Sequence, residues 1–210
     1  MRLTAEDLSY PRVKKFFFLF IFILSFSKAN SENFKFVKIA NLNNPWGSSF
    51  LNNDEMIITE KSGLIKIVNI INNQVNDVEH NLNFLEDGQG GLLDILHQEN
   101  KVWISYTENR GNRKTSTSIA LANLDKKNLV FKNIFQANPP IDSGYHFGSR
   151  LAIKGNYLYA SAGERGKGMI AQDTSKHPGS IIRIHLDGSI PNDNPKFDGK
   201  PDWLPEIYQI

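Results

Sequence analysis

The sequence contains 210 residues, 40% of them hydrophobic, which is enough apolar material for one substantial core. Its formal net charge is +2, and residues 1–29 hold five of the 24 basic and two of the 22 acidic side chains, so the remainder is close to neutral. Nucleic-acid binding depends on a clustered basic face, so this balance argues against a nucleic-acid partner.

Residues 1–29 have the order of a secretory signal peptide. Lys14 and Lys15 precede an apolar run at residues 16–26, and the polar and small residues 27–29 follow it. The run is too short to span a bilayer comfortably, so we predict cleavage after residue 29. An uncleaved amphiphilic anchor is the alternative.

The predicted leader implies an exported protein, which would be periplasmic in a Gram-negative bacterium. The sequence has no cysteine, so stability must come from packing or from a bound ion rather than from disulfides. Glu6 and Asp7 are unusual in a leader. A translation start near Val13 is therefore an alternative to Met1.

From residue 44 onward, a pattern of short apolar strands separated by polar turns occurs three times. Glu60, Glu108 and Glu164 occupy corresponding positions in the copies, 48 and 56 residues apart. This spacing is typical of β-propeller blades, each of which takes roughly 40–50 residues. The predicted strands cover residues 46–51, 56–59, 63–68, 92–96, 102–107, 116–124, 130–135, 150–153, 157–162 and 181–186.

The repeats predict an all-β fold, a β-propeller of which about two and a half to three blades are present in this chain. Residues 166–179 are rich in glycine and polar residues and contain Pro178, so we predict a long loop there. An open propeller would leave unpaired strand edges, which invite aggregation. We therefore expect residues 30–210 to be the N-terminal part of one longer, truncated propeller domain, or a half-propeller completed by a homodimer.

The motif DGQGGLL at residues 87–93 places Gln89 on the loop that enters the first strand of the second copy. By itself, a glutamine between glycines is typical of a turn. Loops that enter blades gather at one end of a propeller, near the central channel. Gln89 is therefore a candidate binding residue at that end.

The motif DSGYHFGSRL at residues 142–151 places His146 on the corresponding loop of the third copy. Glycines two positions before and two positions after the histidine allow another group to approach the backbone closely. An imidazole can accept a proton near neutral pH, so His146 is the first candidate for a general base. The alternative is a hydrogen-bonded structural histidine. The neighbouring Tyr145 could stack on a ligand or simply pack.

Other residues offer weaker candidates. The histidines do not have zinc-ligand spacing, and no nucleophile elbow or phosphate-binding glycine loop is present. Arg150 could stabilise negative charge, but a structural ion pair with Glu164 is the stronger expectation. The oxygen-rich residues 187–194 lack the calcium loop of an EF-hand, so we interpret them as turns.

Three motifs resemble, in order and spacing, those of the soluble pyrroloquinoline quinone (PQQ)-dependent sugar dehydrogenases, and most closely the bacterial aldose sugar dehydrogenases. They are DGQGGLL at residues 87–93, HFGSRL at residues 146–151, and DGSIP at residues 187–191 with the DNP that follows. The resemblance extends over residues 44–210. It implies a six-bladed propeller whose second half is not covered by this sequence.

The resemblance also implies a function, oxidation of an aldose at its anomeric hydroxyl to the lactone. His146 would remove the hydroxyl proton while hydride passes to PQQ, and Gln89 would contact a carboxylate or ring oxygen of the cofactor. Tyr145 stands where the glucose-specific branch has an aspartate, so a preference for glucose is not implied. Glu164, Arg165 and Gly166 are interpreted as scaffold.

The calcium ligands and a second catalytic arginine of the family are expected beyond residue 210, so this chain alone would be inactive. The electron acceptor is not implied by any residue. A different class of function also fits a propeller, since function resides in sites rather than in folds. That alternative is a non-catalytic binding module for a glycan or a protein partner.

Overall fold

A computed structural model describes residues 34–210, and residues Lys38–Ile210 form one compact unit. The predicted signal peptide therefore lies outside the described residues. Within residues 34–210, no helix is both long enough and apolar enough to cross a membrane.

The described chain is built almost entirely of strands. One short 3-10 helix, Gly168–Gln172, lies in the predicted loop at residues 166–179. The strands are β1 Pro45–Phe50, β2 Glu55–Glu60, β3 Leu64–Asn69, β4 Val75–His80, β5 Leu92–Gln98, β6 Lys101–Asn109, β7 Thr115–Asn123, β8 Asn128–Leu129, β9 Lys132–Gln136, β10 Gly148–Lys154, β11 Tyr157–Ala162, β12 Ile181–His185 and β13 Ile207–Gln209.

The strands form three sheets, each of which is one blade. Blade 1 has the order β1-β2-β3-β4, with the short β8 added in parallel to β4; blade 2 has the order β5-β6-β7-β9, and blade 3 β10-β11-β12-β13. This up-and-down arrangement confirms the all-β propeller fold. It contains three blades, at the upper limit of the predicted range.

The fourth strands of blades 1 and 3 were not predicted from the sequence. β4 has the sequence VNDVEH, and only Val78 of its residues is buried. β13 is only three residues long, and only Ile207 is buried in it. Neither strand has enough apolar positions for periodicity to reveal it.

Blade 2 lies between two apolar clusters. One cluster packs Ile57 and Ile65 of blade 1 against Ile104, and the other packs Trp103 against Leu158 and its neighbours in blade 3. Successive residues of a strand point to opposite faces of its sheet, so Trp103 and Ile104 serve different interfaces. Both faces of blade 2 are therefore buried.

The stacking of the blades also aligns their first strands, because β5 contacts both β1 and β10. The loops that lead into β5 and β10 consequently run side by side. At the opposite end, the predicted turn at Asp187 is present: its carboxylate accepts hydrogen bonds from the Ser189 N–H at 2.9 Å and the Ser189 hydroxyl at 2.6 Å.

Substituting Trp103 by phenylalanine tests the interface between blades 2 and 3. Trp103 is 2% exposed, and its indole N–H donates to the Leu186 carbonyl at 2.9 Å. We expect Trp103→Phe to lower the free energy of unfolding by about 1–3 kcal/mol, since it removes this bond and leaves a cavity. Urea denaturation measures the change.

The matched control is Trp46→Phe, because Trp46 is 42% exposed. Its effect should stay within about 0.5 kcal/mol. Equal losses in the two variants would contradict the assignment of Trp103 to a buried interface.

Candidate active site

The loops that carry Gln89 and His146 are in direct contact. The His146 backbone N–H donates to the Gln89 side-chain oxygen at 2.9 Å, and the Gln89 backbone N–H donates to the Gly144 carbonyl at 2.8 Å. The loop at residues 87–91 is called the Gln89 loop below, and the loop at residues 142–147 the His146 loop. Two neighbouring blades thus supply one site.

Glycines allow the loops to approach this closely. Gly88 has a φ of +57°, and a Cβ there would lie 2.4 Å from the Gly144 carbonyl oxygen. A Cβ on Gly163, the residue that follows β11, would lie 1.9 Å from the His146 carbonyl oxygen. Any larger residue at these positions would push apart the segments that form the site.

The imidazole of His146 contacts the carboxylate of Glu164. The Nδ1 atom of His146 forms a hydrogen bond with Oε1 of Glu164. This bond lowers the pKa of Glu164, although desolvation by itself would raise it. A carboxylate can only accept, so Nδ1 carries a proton and the neutral ring keeps its lone pair on Nε2. The side chain of His146 is 54% exposed, so a ligand can reach it.

These contacts correct the expected ion pair between Arg150 and Glu164. Arg150 instead pairs with Asp94 of β5 at 3.1 Å, and Glu164 pairs with His146. Interpreting Glu164 as scaffold therefore missed a residue that touches the site. The repeat had marked its position, but nothing in the sequence indicated which side chain it would meet.

Arg165 anchors the His146 loop on the buried side of the loop. Its side chain is buried, with the residue 2% exposed, and its guanidinium carbon lies 3.7 Å from the centre of the Phe147 ring. It donates to the Tyr145 carbonyl at 3.0 Å, the Thr115 carbonyl at 3.1 Å, the Thr115 hydroxyl at 2.7 Å and the Ser143 carbonyl. The guanidinium therefore ties the loop to β7.

Burial lowers the pKa of Arg165 to about 10, and the nearby charge of Asp87 partly opposes this shift. The side chain remains a cation at neutral pH. A desolvated cation needs hydrogen-bond acceptors around it, and the loop carbonyls meet this requirement. The conformation of the His146 loop is thus coupled to one buried charge.

The backbone at His146 has a left-handed conformation, with a φ of +49°. This region is uncommon for residues other than glycine, and such strain often occurs at functional sites. Here the flanking contacts of Gln89 and Arg165 maintain it.

Tyr145 lies on the surface beside the imidazole. It is 62% exposed, and its ring centre is 6.2 Å from that of His146, with the ring planes inclined at 66°. Its backbone carbonyl is held by Arg165, whereas its ring is free to meet a ligand. This position is unlike that of a core aromatic.

Gln89, Tyr145 and His146 form an open surface. A cavity of about 400 Å³ lies elsewhere, between residues 169–175 and residues 199–202. Within residues 34–210, no group of three histidine, cysteine, aspartate or glutamate side chains could hold a metal ion.

Comparison with known proteins identifies related sequences. The family profile described as Glucose / Sorbosone dehydrogenase matches residues 42–210. The aldose sugar dehydrogenase YliI of Escherichia coli (strain K12) is 32% identical over 164 residues, which are 73% of this chain and 44% of that protein. Quinoprotein glucose dehydrogenase B of Acinetobacter calcoaceticus is 28% identical over 218 residues, which cover 83% of this chain and 44% of that protein.

Solved structures of dehydrogenases are also similar to this chain. The apo form of the soluble aldose sugar dehydrogenase of Escherichia coli superposes with a TM-score of 0.74 at 29% identity, over 79% of this chain and 50% of that chain. A crystal structure of a glucose dehydrogenase gives a TM-score of 0.73 at 29% identity, over 79% of this chain and 51% of that chain. The chain spans about half the length of the curated relatives it matches.

Replacing Arg165 by methionine tests the clamp on the His146 loop. The substitution leaves the carbonyls of Ser143 and Tyr145 without their donor and removes both bonds to Thr115, so we expect the free energy of unfolding to fall by about 3 kcal/mol. Amide hydrogen exchange at residues 143–147 should become faster.

The control is Lys154→Met, at the exposed end of β10. It should change the free energy of unfolding by less than about 0.5 kcal/mol. Unchanged exchange in Arg165→Met would contradict the clamp.

The lowered pKa of Glu164 predicts a pH dependence of stability. A carboxyl whose pKa is lower in the folded than in the unfolded chain stabilises the fold above its unfolded pKa, and this contribution disappears as the pH falls through the folded value. The stability difference between wild type and Glu164→Gln should therefore be greatest above pH 4.5, the ordinary value, and decrease at lower pH. Denaturation at a series of pH values measures it.

Glu79→Gln, at an exposed position of β4, provides the reference for this series. A difference for Glu164→Gln that stayed constant at all pH values would refute the predicted linkage.

Proposed function

Because the chain belongs to the glucose/sorbosone dehydrogenase family, we propose that it forms part of a PQQ-dependent dehydrogenase that oxidises aldose sugars at the anomeric hydroxyl to the lactone. The names of two relatives support this proposal, one an aldose sugar dehydrogenase and the other a quinoprotein glucose dehydrogenase. The single observation that carries it is the exposed imidazole of His146, held by Glu164 beside Gln89.

His146 is the general base in this proposal. The carboxylate of Glu164 occupies Nδ1, which leaves the lone pair of Nε2 available for the proton of the anomeric hydroxyl. The negative charge of Glu164 also stabilises the imidazolium that forms when the proton arrives. A histidine without this partner could turn or present the wrong nitrogen.

The residues around His146 are suited to a flat, anionic quinone. Gln89 uses its side-chain oxygen for the His146 N–H, so its amide NH₂ remains to donate to a cofactor carboxylate or ring oxygen. Gly88 and Gly144 carry no side chain that would obstruct the surface. PQQ, when bound, supplies the hydride acceptor, and the protein supplies position and polarity.

Tyr145 is proposed to contact the substrate. Its exposed ring lies beside the imidazole, where it can stack on the apolar face of a sugar. The phenol of Tyr145 is uncharged, so it does not attract sugar hydroxyl groups as strongly as a carboxylate at this position would. We therefore propose recognition of aldoses by shape and stacking rather than a strict preference for glucose.

A requirement for calcium remains a prediction, because the described residues contain no metal-ligand cluster. Export after cleavage at residue 29, a periplasmic location, and the assignment of residues 30–210 to one propeller domain are parts of the same proposal.

The proposal is tested by reconstituting the protein that carries this chain with PQQ and calcium and following reduction of a dye by aldoses. We expect His146→Ala to lower kcat by about 10²–10⁴-fold, which is the usual contribution of a general base. Gln89→Ala should mainly weaken PQQ binding. Glu164→Gln should lower kcat less than His146→Ala, since it removes only the partner.

The control is His185→Ala, which changes a histidine that stacks on Tyr157 in blade 3. It should leave kcat unchanged. If His146→Ala kept full turnover, the general-base role would be wrong. If the reconstituted protein bound a glycan without reducing the dye, the proposed enzymatic function would be replaced by the alternative of a non-catalytic binding module.

A further inference from the structure

We propose that Asp94 of β5 is a positioning residue for His146, and that it acts through the first residues of β10. The proposal rests on the function proposed for His146. Its geometric basis, however, can be tested without the cofactor or a sugar.

Polar side chains of blade 2 form hydrogen bonds with the backbone of Phe147, Ser149 and Leu151, which are alternate residues after His146. This set of three contacts comes from three neighbouring strands, and all three side chains are buried. The Thr117 hydroxyl donates to the Phe147 carbonyl at 2.8 Å, the Ser105 hydroxyl donates to the Ser149 carbonyl at 2.6 Å, and the Asp94 carboxylate accepts from the Leu151 N–H at 2.9 Å.

Regular sheet pairing is interrupted between the first and the last of these residues. The antiparallel register between β10 and β11 is interrupted between Gly148 and Leu151, and Ser149 has a φ of +79°. A bulge of this kind removes ladder hydrogen bonds and redirects the chain. The start of β10 therefore depends on contacts with blade 2.

Of these three side chains, only the carboxylate of Asp94 accepts hydrogen bonds from three donors at once. It is 5% exposed, and besides the Leu151 N–H it accepts from the Ile95 N–H at 3.1 Å and from Nη1 of Arg150 at 3.1 Å. Only a carboxylate presents acceptors to donors on both sides at once. An asparagine would turn an NH₂ group toward one of these donors.

Asp94 and Arg165 hold opposite ends of the segment that bears His146. Arg165 binds the carbonyls of Ser143 and Tyr145 before the histidine, and Asp94 fixes Leu151 after it. With both ends fixed, the imidazole meets Glu164. Loosening the end at Asp94 should therefore change the state of the ring, beyond any general loss of stability.

The test is the imidazole ¹⁵N spectrum of His146 in the chain labelled at histidine, recorded for wild type and Asp94→Asn. In the wild type, the bond to Glu164 should keep the proton on Nδ1, which separates the Nδ1 and Nε2 shifts widely. In Asp94→Asn, the two shifts should move toward each other as the tautomers mix. Arg150→Gln should cause a smaller movement in the same direction.

Asp77→Asn is the matched control, because Asp77 is a surface carboxylate paired with Lys66, with its side chain 69% exposed. It should leave the His146 shifts in place. The shifts of His80, whose ring is bonded to the Gly63 carbonyl, should stay constant in every variant.

Unchanged His146 shifts in a folded Asp94→Asn chain would overturn the proposal and leave Asp94 a structural residue. If Asp94→Asn does not fold, Arg150→Gln decides in the same way, since it changes an exposed side chain. The proposed function can fail separately. If the shifts respond as expected while His146→Ala keeps full turnover, the positioning stands and the general-base role does not.

Discussion

A buried cation fixes the geometry on which the site depends. The guanidinium of Arg165 is removed from water, so it requires acceptors, and it finds them in the backbone of the His146 loop and in Thr115 of β7. These bonds determine the path of the loop, and the path determines where the imidazole of His146 lies. One desolvated charge thus links the packing of two blades to the chemistry at their surface.

The blades are built by repetition, but equivalent residues have acquired different partners. Glu60 accepts the Asn43 N–H at 2.7 Å, and Glu108 accepts bonds from polar side chains of its own blade. Glu164 alone of these three repeat-related glutamates contacts an imidazole. A position that serves the scaffold in two blades therefore takes part in the candidate active site in the third.

The sequence predicted the propeller because strand periodicity and repeat spacing are local properties of the chain. It also placed Gln89 and His146 on equivalent loops, and the structure brings them into contact. It could not identify Glu164, Arg165 or Asp94 as their supports. Those contacts depend on how blades stack and on a bulge in β10, and spacing along the chain contains no information about such distances.

The most direct test of a shared quinone surface is a titration of the ¹⁵N-labelled protein that carries this chain with PQQ and calcium, followed by the backbone amide shifts of residues 34–210. The account predicts that the perturbed amides cluster in the Gln89 loop, in the His146 loop and at residues 163–166, and that Gln89→Ala weakens the response. Perturbations confined to the turns at residues 98–101 and 154–157, at the other end of the blades, would contradict it. A complete absence of response at saturating PQQ and calcium would also contradict it.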